Sequence, residues 1–139
     1  MSNDSEQYSF IKIRAEDIPI HLIEQVRTSD WTPERYLDYL MAIEDSPLQF
    51  LFGIYRMQEL IGFTWCEANL LDRSLFINTL SIEKSHKNDG KTLSEISKLF
   101  KRFLSESKLQ KIRISSDRPS LFIKMGMRRS KHILLELEA

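Results

Sequence analysis

The sequence predicts an α+β domain whose central mixed, mostly antiparallel sheet is flanked by helices. Three observations lead there. Apolar stretches at 49–57, 60–68 and 74–82 are separated only by short polar turns, which reads as an antiparallel meander. A helix-periodic stripe of Leu93, Ile96, Leu99, Phe100, Phe103 and Leu104 follows, and then a short strand at 111–115. A helix that joins two strands of one sheet makes them parallel. Finally, 139 residues of which 42% are apolar suffice for one hydrophobic core and are tight for two.

The elements follow in order. Residues 1–9 are polar and read as a flexible tail. Phe10, Ile11 and Ile13 alternate with Lys12 and Arg14 as a first strand. Ile20, Ile23 and Val26 share one side of a first helix over 18–27. Thr32 offers a side-chain N-cap and Pro33 sits at the first helical position, where its missing N–H costs nothing. Tyr36, Leu37, Leu40 and Met41 form the apolar face of this second helix, and Ser46-Pro47 closes it. Within the meander, Gly53 and Gly62 mark bulges or close backbone approach. Residues 83–91 form a polar loop, and the periodic stripe then makes a third helix of about four turns. After the strand at 111–115, a short helix over 119–125 stops at Gly126, and a last strand covers 130–138.

Composition excludes several chemistries. Cys66 is the only cysteine, so there is no internal disulfide framework, and a small buried hydrophobe is its expected role. His21, His86 and His132 lack ligand spacing, so no metal site is expected. The N-terminal residues lack the basic start and apolar stretch of a secretory signal, and no apolar run approaches a membrane span. A cytoplasmic protein without membrane contact is expected. The zero net charge hides a split: residues 1–83 hold six basic and fourteen acidic side chains, and residues 84–139 hold fourteen basic and six acidic. The second half is therefore suited to anions, such as a phosphorylated cofactor, nucleic acid or an acidic partner.

The junction that can carry chemistry is strand 74–82, the polar loop and the third helix. A helix N-terminus presents unpaired N–H groups and a positive dipole end, and glycine lets a phosphate come close to the backbone. In Lys87-Asn88-Asp89-Gly90-Lys91-Thr92, two lysines add charge, Gly90 admits the approach, and Thr92 offers a cap or a hydroxyl. Asp89 works against a phosphate, because its carboxylate competes for the same donors.

Lys87-x-x-Gly90-x-Thr92, five residues after a strand-terminal Ile82, together with the element order, resembles the GNAT superfamily of acyl-CoA-dependent N-acetyltransferases. Lys87 stands where that signature has Arg or Gln, Gly90 matches, and Thr92 replaces a small residue. Downstream, Leu121-Phe122-Ile123-Lys124-Met125-Gly126-Met127 is similar to the family's Phe-Tyr-x-Lys-x-Gly-Phe segment. The resemblance runs from Phe10 to the end of the chain.

The resemblance implies acetyl-CoA as co-substrate and an amine acceptor that attacks the thioester directly. Its pantetheine arm would pair with Leu80, Ser81 and Ile82, where the strand splays from its parallel neighbour. The pyrophosphate would rest on the backbone of Lys87, Asn88, Asp89, Gly90, Lys91 and Thr92, with Lys84 nearby. For the base, Glu67 and Glu83 are the candidates, and His86 ranks next. Phe122 occupies the position of the tyrosine that protonates the thiolate, which slows rather than forbids transfer, since a thiol of pKa about 8.5 leaves with modest help. Acceptor contacts are expected from Trp31, Tyr36 and Trp65, and the acidic first half suits a basic acceptor. The alternative is a catalytically inactive GNAT-fold module that binds a protein or nucleic-acid partner. A plain nucleic-acid binder using Lys98, Lys101, Arg102, Lys108, Lys111 and Arg113 ranks last, because no aromatic stacking platform accompanies these cations.

Overall fold

The computed structural model describes residues 7–26, 32–114, 122–123 and 125–128. One five-stranded sheet organises them, in the order β1 (Tyr8–Lys12), β2 (Gln49–Arg56), β3 (Glu59–Asn69), β4 (Ser74–Ile82) and β5 (Lys111–Arg113). The first four strands pair antiparallel and β5 lies parallel to β4, so the sheet is mixed as expected. Strand order equals chain order. The first strand begins earlier than the alternation suggested: Tyr8 and Ser9, read as tail, pair with Arg56 and Tyr55, and the Tyr8 side chain is buried.

Helices cover both faces. Helix α3 (Gly90–Ser107) packs Leu93, Ile96, Leu99 and Phe100 onto Ile54, Cys66, Leu75 and Ile77 on one side. Burial of such side chains contributes roughly 1.5–3 kcal/mol each. The helix is longer than its apolar stripe because Asp89 caps it one residue before Gly90. On the other face, α1 (Ile20–Glu24) and α2 (Pro33–Ile43) place Leu22, Ile23, Tyr36 and Leu40 against Leu51 and Phe63.

Two helical expectations are corrected. α1 is five residues long instead of ten, because Pro19 biases Ile18 to extended backbone (ψ 124°) and the turn before it, Ala15–Asp17, is a separate 3-10 helix. Its buried pair is Leu22 and Ile23, while Ile20 is half exposed. On α2, Thr32 Oγ accepts the Arg35 N–H at 3.2 Å, as the cap predicted, but Met41 lies outside the buried stripe. Further along, Gly126 takes φ 96°, with the Met127 N–H returning to Phe122 O and the Gly126 N–H to Ile123 O, both at 3.0 Å. Those paired bonds are the left-handed helix stop expected at this glycine. The strand expected at 130–138 lies outside the described residues, as do the end of the strand expected at 111–115 and residues 119–121 and 124 of the helix expected over 119–125.

A bulge in β4 shapes the region of interest. Trp65 pairs with Thr79 but Cys66 pairs with Ile77, so Asn78 is an extra residue on β4. It keeps both Ile77 and Leu80 packed on the α3 side, which a strict two-residue alternation forbids. The buried Thr64 hydroxyl donates to the Thr79 carbonyl at 2.8 Å, giving a partner to a backbone group at the irregularity. Within β3, Gly62 meets the expectation of close approach: a Cβ there would sit 2.5 Å from the Ser81 carbonyl oxygen.

Candidate active site

The site begins where β5 leaves β4. Their pairing covers Ser74–Phe76 with Lys111–Arg113, and among the described residues nothing pairs with that edge of β4 beyond Phe76. The bulge at Asn78 follows directly, and then Leu80, Ser81 and Ile82 lead to the polar loop. An extended edge with open N–H and C=O groups is a template for another extended group. The Ser81 hydroxyl is committed elsewhere, donating to the Leu22 carbonyl at 2.8 Å and tying α1 to β4.

At the far end of this edge stands the N-terminus of α3. Its cap is Asp89 rather than Thr92: one carboxylate oxygen accepts the Lys91 N–H at 3.2 Å and the other accepts the Thr92 hydroxyl at 2.8 Å. The Thr92 hydroxyl, fully buried, also lies 3.4 Å from the Tyr8 phenol oxygen. The hydrogen bond from Thr92, then the Lys91 N–H and the charges of Arg56 and His86, hold the Asp89 carboxyl below the usual aspartate range. Lys84, Lys87, Asn88 and Lys91 are exposed around it, and among the described residues nothing stands within 4 Å of a Cβ on Gly90. The residues present thus form an open, cation-rimmed cradle that fits a phosphate.

Arg56 is the member that sequence reading missed. It closes β2, with its guanidinium 5.9 Å from the ring centroid of Tyr8, whose hydroxyl lies beside the Thr92 hydroxyl that bonds Asp89, and its charge helps to lower the Asp89 carboxyl. A basic residue closing a predicted meander strand was the available signal.

On the opposite face an aromatic and polar cluster gathers near the bulge. The Tyr36 hydroxyl bonds the Thr79 hydroxyl, and the Trp65 ring lies edge-on to Tyr36 at 6.1 Å and to Tyr39 at 5.3 Å. Trp65 Nε1 donates to Gln49 Oε1 at 2.7 Å, and Gln49 Nε2 donates to Glu67. Tyr36 is 2% exposed while Glu67 is exposed, so the cluster runs from a buried phenol to a solvated carboxylate. Burial pushes the Tyr36 phenol up to about 12, against the lowering bond to Thr79. Burial also pushes the Cys66 thiol up to about 12, which leaves it protonated and inert, as its expected core role requires.

These two shifts carry an alkaline prediction. Both groups bind their protons more tightly folded than unfolded, so their contribution is complete below the ordinary values of 9.0 for the thiol and 10.0 for the phenol. It is lost as pH rises toward about 12. Melting temperature should therefore fall steadily above pH 9, and Cys66→Ala should remove the earlier part of that fall. A flat profile to pH 11 would contradict the burial argument.

The two candidate bases stand apart. Glu67 pairs with Phe76 at the start of the splay, whereas Glu83 follows Ile82, seven residues along β4, roughly 20 Å away at 3.3 Å per residue. Glu83 is engaged by His21 Nε2 and its N–H donates to Ile61 O at 2.7 Å. Trp31 lies outside the described residues. Phe122 is half-buried against the α3-side core. Among the described residues no group of three His, Cys, Asp or Glu side chains is placed to hold a metal, and no helix is long and apolar enough to cross a membrane. Two of the six cations considered for nucleic acid are engaged by carboxylates: Lys98 by Glu95 at 3.1 Å and Arg113 by Asp72 at 3.5 Å.

No protein-family model matches the sequence, and no curated protein matches it. Solved structures do match its fold. A spermidine N-acetyltransferase chimera of Vibrio cholerae SpeG and hSSAT is similar with a TM-score of 0.70 at 18% identity, over 96% of this chain and 87% of that one. A possible acetyltransferase from Clostridium difficile 630 gives 0.67 at 10% identity, over 96% and 98%. A predicted acetyltransferase with acetyl-CoA from Clostridium acetobutylicum gives 0.63 at 13% identity, over 94% and 96%. In the five-stranded mixed sheet and three α-helices of its described residues, the chain has the fold of the GNAT acetyltransferases.

Proposed function

We propose that this protein transfers an acetyl group from acetyl-CoA to an amine by direct attack of the amine on the thioester. The observation that carries the reading is the edge of β4 from Ile77 to Ile82, unpaired on the β5 side among the described residues, running from the bulge to the N-terminus of α3 with its flanking lysines. Leu80, Ser81 and Ile82 would hold the pantetheine through their backbone, and the backbone from Lys87 to Thr92 would hold the pyrophosphate, with Gly90 leaving room. Lys84, Lys87, Lys91 and Arg56 supply the charge.

That orientation assigns the chemistry to one end. With phosphates at α3, the thioester lies toward the bulge, on the side of Thr79, Trp65 and Glu67. Glu67 is then the better base of the two carboxylates, oriented by Gln49 and able to take the ammonium proton directly or through water. Glu83 is left beside the phosphate end, paired with His21. Trp65 and Tyr39 offer aromatic surface to an amine, and Tyr36 and Thr79 brace it from below. The acidic first half favours a basic acceptor such as a lysine side chain or a polyamine. Neighbours with this fold include the spermidine enzyme above and an aminoglycoside acetyltransferase from a soil metagenome, and both names denote amine acceptors.

A second reading has its own observations. Asp89 already caps α3, and Phe122, at the place of the proton-donating tyrosine, lies half-buried against the core. Both suit a GNAT-fold module that has lost transfer and binds a partner. Calorimetric titration of acetyl-CoA at moderate salt separates the two. Micromolar binding is the expected result and opens an amine screen. Absence of binding would transfer the assignment to the partner-binding module.

A further inference from the structure

Resting on the reading of Glu67 as the base, we infer that Trp65 is a positioning residue: through the Gln49 amide, its indole N–H fixes how the Glu67 carboxylate is presented to the ammonium. Strand pairing brings the three side chains together. Gln49 and Glu67 are direct partners across β2 and β3, and Trp65, two residues before Glu67, lies on the same face. The indole Nε1–H donates to Gln49 Oε1 at 2.7 Å, and Gln49 Nε2 donates to Glu67 Oε2.

The indole decides which way the amide faces. An indole N–H can only donate, so the amide oxygen turns toward it and the NH2 toward Glu67. An ionised carboxylate can only accept, so the reversed amide would set N–H against N–H and oxygen against oxygen. With Oε2 held, Oε1 is the oxygen that takes one proton from the ammonium and later returns it to solvent. The amine nitrogen then forms the C–N bond as the C–S bond breaks, and a second nitrogen proton passes to the departing thiolate. The indole is itself held by α2, since Tyr36 and Tyr39 meet its ring edge-on at 6.1 and 5.3 Å and Tyr36 is buried. A packed helix thereby orients an exposed carboxylate that would otherwise turn among its rotamers.

The test is steady-state transfer from acetyl-CoA to spermidine and to lysinamide by the wild-type protein, Glu67→Gln, Trp65→Phe, Gln49→Met and the Trp65→Phe/Gln49→Met double variant, with melting temperatures alongside. Trp65→Phe keeps a ring against Tyr36 and Tyr39 and removes the N–H, whereas Gln49→Met keeps the length of the side chain and removes the amide. The expected result is a kcat about tenfold lower in each single variant, a modest loss for a slightly misplaced base, with both KM values unchanged. In the Gln49→Met background, Trp65→Phe should cost nothing further, because the two act through one chain. A ring that only packs would lower stability, and one that only touches the acceptor would raise its KM. Neither would couple to Gln49. If Glu67→Gln is slow but Trp65→Phe matches the wild type, or the losses add in the double variant, the positioning role is overturned and the base stands. If Glu67→Gln is as fast as the wild type, the base reading falls and this proposal with it. If the wild type acetylates neither amine, the basic-acceptor reading falls as well.

Discussion

Gly62→Ala should lower the unfolding free energy by about 3 kcal/mol, the upper part of the range for forced overpacking, and the melting temperature by about 10 °C for a chain of this size. The added methyl would lie 2.5 Å from the Ser81 carbonyl oxygen and 3.2 Å from the Ile82 Cα. Both are backbone of β4, so relief requires the two strands to part. Gly53→Ala provides the comparison, because its Cβ would meet the side-chain ends of Tyr55 and Leu60 at 2.8 and 2.9 Å, which can rotate aside. Thermal unfolding of the two variants should therefore rank them, with Gly62→Ala much the less stable. Equal melting temperatures would show that β3 and β4 are not held as closely as described.

The second large effect is on binding. Gly90→Leu should weaken CoA binding about a hundredfold or more, since a bulky side chain fills the space against which the phosphates rest; hindered sites of this kind commonly forfeit several kcal/mol. Stability should not fall with it. Among the described residues no atom stands within 4 Å of the new Cβ, and exchanging glycine for leucine in a helix gains up to about 1 kcal/mol in propensity. Lost binding with an unchanged or raised melting temperature is the signature of an obstructed site rather than a damaged fold. Unchanged CoA affinity would remove the phosphates from this corner.

Much of the architecture was legible in the sequence, and the failures have physical causes. The meander strands were found within a residue or two because their polar turns are short and their apolar runs sharply bounded. α1 was overextended because Ile20 and Val26 mimic a helical stripe, while Pro19, which starts the helix late, carries no periodic signal. The bulge was readable in principle: Leu75 and Ile77, then Leu80 and Ile82, slip the two-residue period by one. The candidate site divides in the same way. The α3 cradle was visible as a local motif, with Asp89 already weighed against it, because its members are contiguous. Arg56 and the Trp65–Gln49–Glu67 chain were not, since pairing between strands assembles them and no local pattern reports which residues will face each other.

A sheet whose spatial order repeats its chain order has a kinetic consequence. The meander from β2 to β4 needs only hairpin closures, Met57–Gln58 on one side and residues 70–73 on the other, and such closures cost little loop entropy and take microseconds. Two later steps bridge longer stretches: β1 reaches β2 across the α1–α2 segment, and β5 reaches β4 only after α3 has crossed over. The hairpins thus make the nucleus, and the edges are added to it. Substitutions in the hairpins should mainly slow refolding, and those between β4 and β5 should mainly speed unfolding. The region assigned to the cofactor therefore lies at the last-formed and first-released margin of the sheet, where a ligand that bridges β4 and α3 would slow unfolding far more than it hastens folding.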